Sequence, residues 1–114
     1  MIIGAHVILY SNDAEADRAF IRDTLGFGGV DAGDGWLIFG LPGAELAIHP
    51  TDGDSSHELY LMCNDIETQV QQLRADGVEI TQEIVDRGWG VLASFRLPGG
   101  SELSVYEPRH PVAF

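Results

Sequence analysis

Few residues of this 114-residue chain could do chemistry: four histidines, one cysteine, two tryptophans, three tyrosines and eighteen acids. His49 before Pro50 and His57 before Glu58 place two imidazoles and a carboxylate near mid-chain, a grouping that could hold an ion and that ordinary turn chemistry also explains. Trp36 and Trp89 each follow a glycine; if they reach a pocket they offer flat faces to a planar ligand, and otherwise they pack in the core. Cys63 follows an apolar run and reads as a small buried hydrophobe, not a nucleophile. His110 sits in Glu107-Pro108-Arg109-His110-Pro111, where two prolines predict an extended terminus, so no chemistry is assigned to it. There is no Ser/His/Asp or Cys/His arrangement, phosphate-cradling glycine loop or dinucleotide fingerprint.

These side chains must be positioned by elements that the residue pattern predicts. Ile2 to Tyr10 is rich in β-branched residues and reads as a strand that Ser11-Asn12-Asp13 breaks. Asp13 is an N-cap candidate, and Ala16, Phe20, Ile21 and Leu25 recur at helical spacing until Gly26. After a turn-rich stretch from Gly28 to Gly35 come strands at Trp36 to Phe39 and Ala44 to His49, separated by Leu41-Pro42-Gly43. The order then repeats. Glu58 to Met62 is a strand, Asp65 an N-cap, and Ile66, Val70 and Leu73 the stripe of a helix that stops at Gly77. Strands follow near Val78 to Ile84, Val91 to Arg96 and Ser101 to Tyr106.

The punctuation of the two halves matches as well. Asn12-Asp13 answers Asn64-Asp65, Gly35-Trp36 answers Gly88-Trp89, and Leu41-Pro42-Gly43 answers Leu97-Pro98-Gly99. Such agreement predicts a duplicated βαβββ unit, with halves near 1–52 and 53–114 in one domain.

Composition limits the partners. Eighteen acids against six bases, all arginine, give a net charge of -12, which repels phosphate backbones and anionic lipid headgroups. Nucleic acid and membrane are therefore not expected partners. The longest apolar stretches are about half the roughly 20 residues a membrane helix needs. A lone cysteine forms no intrachain disulfide, and the start of the chain lacks a positively charged leader, so a cytoplasmic protein is expected.

Two βαβββ units of this kind, closing on Leu97-Pro98-Gly99-Gly100-Ser101-Glu102-Leu103-Ser104-Val105-Tyr106-Glu107-Pro108, resemble the vicinal oxygen chelate superfamily. That group includes glyoxalase I, bleomycin-type resistance proteins, fosfomycin-inactivating enzymes and extradiol dioxygenases. The resemblance implies an α+β fold in which the two units curl into a half-open barrel around one cavity, with helices outside and a homodimer as the usual state. Strand alternation then sends Leu46, Ile48, Leu103 and Val105 to the helices. It turns His6, Ile8, Tyr10, Glu45, Ala47, His49, Glu58, Tyr60, Met62, Glu102, Ser104 and Tyr106 to the cavity. Among these His6, Tyr10, Glu45, His49, Glu58, Tyr60, Glu102, Ser104 and Tyr106, joined by Trp36 and Trp89, are the candidate ligand-binding residues.

Metal-using members of that superfamily supply four ligands, usually His or Gln, Glu, His and Glu. His6 matches the first position, whereas Ala47 and Ser104 stand where carboxylates are expected and Glu58 replaces a histidine. A rearranged set of His6, Glu58, Glu45 and Glu102 would still suit Zn, Mn, Ni or Fe. Two functions follow from the resemblance. One is a metal-free pocket that sequesters a small organic molecule, as antibiotic-resistance members do, and an acidic, aromatic lining suits cationic or aromatic ligands. The alternative is a metal-dependent lyase, isomerase or dioxygenase whose ion chelates neighbouring substrate oxygens.

Overall fold

The computed structural model describes residues 6–9, 11–35, 37–45, 47, 52–54 and 57–112. Its elements in order are α1 (Ala14–Asp23), β1 (Gly29–Asp31), β2 (Leu37–Phe39), β3 (Tyr60–Met62), α2 (Ile66–Ala75), β4 (Ile80–Asp86), β5 (Gly90–Arg96) and β6 (Glu102–Pro108). The fold is mixed α+β, with a four-stranded sheet ordered β3-β6-β5-β4 and a separate β1-β2 pair. The β3–β6 pair is parallel, and the β5–β6 and β4–β5 pairs are antiparallel.

Both helices begin where an aspartate can satisfy an orphan N–H. Asp13 accepts from the Ala16 amide at 3.2 Å, and Asp65 accepts from the Thr68 amide at the same distance. Downstream, Gly26 and Gly77 take positive φ at 77° and 78°, a conformation that L side chains resist, and the chain turns away from each helix.

The core lies between α2 and one face of the four-stranded sheet. Ile66, Val70 and Leu73 of α2 pack with Val91, Ala93 and Phe95 of β5, Leu97, and Leu103 and Val105 of β6. From α1, Phe20 stacks on Phe95 with ring centroids 6.1 Å apart, and Ile21, with Leu25 just past the helix end, adds to the cluster. A cross-chain bond fixes α1 further: Asp17, buried on α1, accepts the Gly99 amide at 2.7 Å. A Cβ at residue 99 would collide with the Asp17 carboxylate and the Ser11 hydroxyl, so glycine is required at that approach.

The earlier part of the chain keeps the strand expected at 36–39, as β2, and departs from the other two at the described residues. Residues 6–9 form no strand, and Val7, Ile8 and Leu9 are exposed. Residues 44, 45 and 47 carry no strand either, while Leu46 and Ile48 lie outside the described residues. A short strand instead occupies Gly29–Asp31, inside the stretch read as turn, and pairs with β2 from Gly29↔Phe39 to Asp31↔Leu37. A β-branched run is stable as a strand only when its backbone groups find a partner, and propensity does not supply that partner.

Candidate functional site

The sheet face opposite the helices carries the polar and aromatic set. In β6, Leu103 and Val105 point to α2, which leaves Ser104 and Tyr106 on the other face. The parallel register places Tyr60 beside Ser104 and Met62 beside Tyr106, and the antiparallel register places Ser94 opposite Ser104. The two serine hydroxyls bond each other at 2.8 Å, so Ser104 already has a partner within the sheet.

Three rings gather at one end of this face. Tyr60 and Trp89 are 5.7 Å apart at 79°, Tyr60 and Tyr106 5.9 Å at 83°, and Trp89 and Tyr106 5.1 Å at 70°. Edge-on pairs place the positive rim of one ring on the negative face of another, each adding about 0.5–1.5 kcal/mol to the burial itself. The β4–β5 turn presents Trp89: the Arg87 amide bonds the Gly90 carbonyl at 2.9 Å, and Gly88 has φ of 84°. Gly90 makes the cluster fit, since a Cβ there would stand 2.7 Å from Cδ2 of Tyr106. Tyr106 is buried, yet Trp89 keeps 41 % of its surface exposed.

The tail closes over the ring of Tyr106. The Arg109 amide donates to the Trp89 carbonyl at 2.9 Å, which turns residues 109–110 back onto the turn. His110 then lies 6.0 Å from Tyr106 ring to ring, with Nε2 3.1 Å from the phenol oxygen. Its Nδ1 is 2.8 Å from the Pro111 carbonyl, which can only accept, so in the neutral ring Nδ1 carries the hydrogen and Nε2 accepts from Tyr106. Glu45 Oε1 approaches the same phenol at 3.5 Å and His110 Nε2 at 4.0 Å. His110 therefore belongs to this cluster, although an extended tail with no role was expected. Gly90 directly follows the expected Trp89, whereas His110 stands four residues beyond the expected Tyr106, and only Gly88-Trp89-Gly90 gave a local hint.

Beside the rings, a cleft of about 320 Å³ is lined by Leu9, His57, Glu58, Leu59, Tyr60, Glu102, Leu103 and Ser104. That volume lies at the lower end for small-molecule sites. Burial raises the Tyr60 phenol above its ordinary pKa, with Glu58 raising it further and Arg87 opposing. Burial and the Glu45 carboxylate likewise raise Tyr106. Both phenols stay protonated as hydrogen-bond donors near neutral pH. Cys63, partly buried against the core, is raised by desolvation, which disfavours the nucleophilic thiolate.

The remaining expected residues scatter. His6 and Ile8 are exposed, so neither sits in an enclosed cavity, and Ala47 is exposed too. Tyr10, Trp36 and His49 lie outside the described residues. Glu58 and Glu102 share the cleft, whereas Glu45 lies against Tyr106. Among the described residues no three of His, Cys, Asp and Glu are grouped to hold an ion, so the described donors do not fit the four-ligand pattern. No helix among them is long and apolar enough to cross a membrane.

The family model for the glyoxalase/bleomycin resistance protein/dioxygenase superfamily matches residues 4–108. The chain belongs to this superfamily. No curated protein matches it. Among solved structures, the antibiotic-binding protein TnmS3 from Streptomyces sp. CB03234 superposes with a TM-score of 0.67 at 25 % identity, covering 95 % of this chain and 99 % of that one. A lactoylglutathione lyase from Agrobacterium tumefaciens gives 0.68 at 17 % identity, over 92 % of each chain. A superfamily member from Sphaerobacter thermophilus gives 0.62 at 24 % identity, over 93 % of this chain and 98 % of that one. The last two likenesses establish shared fold only.

Proposed function

We propose that this superfamily member is a metal-free binding protein that sequesters a small organic molecule with an aromatic body. The observation that carries this reading is the three-ring cluster of Tyr60, Trp89 and Tyr106, part-exposed at Trp89, adjoining a cleft of about 320 Å³. Aromatic surfaces with a few placed polar groups are the usual lining of such sites. The likeness to an antibiotic-binding protein over nearly the whole chain supports the same reading. In this account Tyr60, Trp89, Tyr106, Glu45, Glu58, Glu102 and Ser104 contact the ligand, with Tyr10, Trp36 and His49 as further candidates and His6 at the margin.

Calorimetric titration with a panel of aromatic antibiotics tests it. At least one compound should bind with a Kd in or below the micromolar range, and Trp89→Ala should weaken it about tenfold or more. Silence across the panel would sink the reading. The metal-dependent alternative draws on Glu58 and Glu102 sharing the cleft. Plasma mass spectrometry of protein purified without chelator separates the two: a stoichiometric ion lost in the His6→Ala variant would favour the enzyme.

We further propose that the chain is a single duplicated domain that works in the cytoplasm as a homodimer. Exposed apolar residues of the earlier part, Val7 and Ile8 side by side and Val30 across from Ile38 in the β1–β2 pair, motivate the dimer, because large apolar patches on a surface mark contact sites.

A further inference from the structure

The geometry of the ring cluster points to a narrower ligand class: we infer that the site selects organic cations, a quaternary or protonated nitrogen on a planar aromatic body, over neutral molecules of the same shape. This inference rests on the binding function proposed above and deepens it. Each tyrosine of the cluster is attended by a carboxylate. Glu45 stands 3.5 Å from the Tyr106 hydroxyl, and Glu58 neighbours Tyr60 closely enough to act on its phenol. Glu102 lines the same cleft as Glu58 and Tyr60.

Among the described residues, opposing arginines near the site are few. Arg87 acts on Tyr60 more weakly than Glu58 does, Arg109 lies 3.9 Å from Glu107, and Arg96 is committed to Glu79 at 2.8 Å. His110 is engaged by the Tyr106 hydroxyl at 3.1 Å and the Pro111 carbonyl at 2.8 Å. The site thus pairs π-faces, which attract cations through their quadrupole, with an excess of carboxylates. Trp gives the strongest such face, and Trp89 is the ring left most open. A ligand anion would meet the same carboxylates and be repelled, as it would by the net charge of -12.

The test compares two ligands that share a planar tricyclic body and differ in charge and one N-methyl group. N-methylacridinium and acridine, the latter uncharged at about pH 7.5, are each titrated into the native protein by calorimetry. N-methylacridinium should bind at least about tenfold more tightly. That preference should shrink several-fold when Glu45→Gln and Glu58→Gln are combined, and again when salt rises from about 0.05 M to about 0.5 M. Trp89→Phe should keep part of it and Trp89→Ala little, with circular dichroism confirming that each variant is folded. Equal affinity for the two ligands overturns the cation inference and leaves the binding function intact. Binding of neutral antibiotics from the panel with no response to N-methylacridinium does the same. Silence to the acridine pair and to the whole panel overturns both.

Discussion

Two stretches with matched local signals end in different surroundings. Residues 57–108 build a four-stranded sheet whose β5 is buried along nearly its whole length, with Val91, Ala93 and Phe95 packed in the α2 core. Residues 6–45 build α1 and a two-stranded pair, with Val30 65 % exposed and Ile8 61 % exposed. Both helices start on an aspartate cap of the same length, so local instructions are obeyed equally in the two stretches. What differs is tertiary cover. An apolar residue stabilises a fold only by leaving water, and among the described residues the earlier stretch adds to that core Phe20 and Ile21 of α1 and Leu25 just beyond it.

The largest expected effect tests this contrast directly. Phe95 is 1 % exposed, and Phe95→Ala should cost about 3–5 kcal/mol in denaturant unfolding. In the Ile8→Asp background, where no partner subunit covers it, Val30→Ala should cost within about 0.5 kcal/mol, as exposed substitutions do. Comparable losses at the two positions would break the comparison. Next in size is Gly90→Ala, where the new Cβ would press on the Tyr106 ring and on the Glu107 carbonyl at 3.0 Å. Overpacking of this kind costs about 1–3 kcal/mol, and the near-ultraviolet dichroism of the coupled Trp89 and Tyr106 rings should change with it. An unchanged spectrum would mean that Gly90 does not set the ring geometry.

The dimer proposal sharpens the same comparison, with a readout in mass and not in unfolding. Ile8→Asp should leave the secondary structure intact while sedimentation shifts from dimer to monomer, because a charge cannot enter an apolar contact unpaired. A dimer that survives Ile8→Asp and a matching Val30→Asp would remove the exposed apolar residues as its explanation.

Much of the later stretch was legible in the sequence. Period-two alternation placed Leu103 and Val105 on the helix face and Ser104 and Tyr106 opposite, as found, and Cys63 took the core side. Capping and stop signals located both helices to within a few residues. Of the earlier strands, the one expected at 36–39 is found at Leu37–Phe39, while residues 6–9, 44, 45 and 47 carry none, because alternation says how a strand would face once paired and pairing depends on residues distant in the chain. The Gly29–Asp31 strand lay hidden in turn-forming composition for the same reason. His110 was missed because prolines mark where a strand ends but not where the chain goes next. A single backbone bond from Arg109 to Trp89 brings it back to Tyr106.

The smallest expected effect concerns a helix cap that both stretches share. The Asp65 carboxylate accepts from the Thr68 amide at 3.2 Å and from the Thr68 hydroxyl at 3.0 Å, and these bonds hold its pKa below the usual carboxylate value, against a small opposing desolvation. A group depressed in the folded state stabilises the fold above its unfolded pKa, about 4, and loses that contribution as pH falls through the lower folded value. Asp65→Ser keeps an oxygen that can cap the helix but cannot titrate. Urea midpoints of the native protein and of this variant should therefore differ at about pH 6 and converge toward about pH 3. A gap that stays constant would assign the cap's effect to shape alone. Because Asp65 starts the helix that roofs the main core whereas Asp13 starts the helix that leans on it, Asp13→Ser should move the same midpoint less.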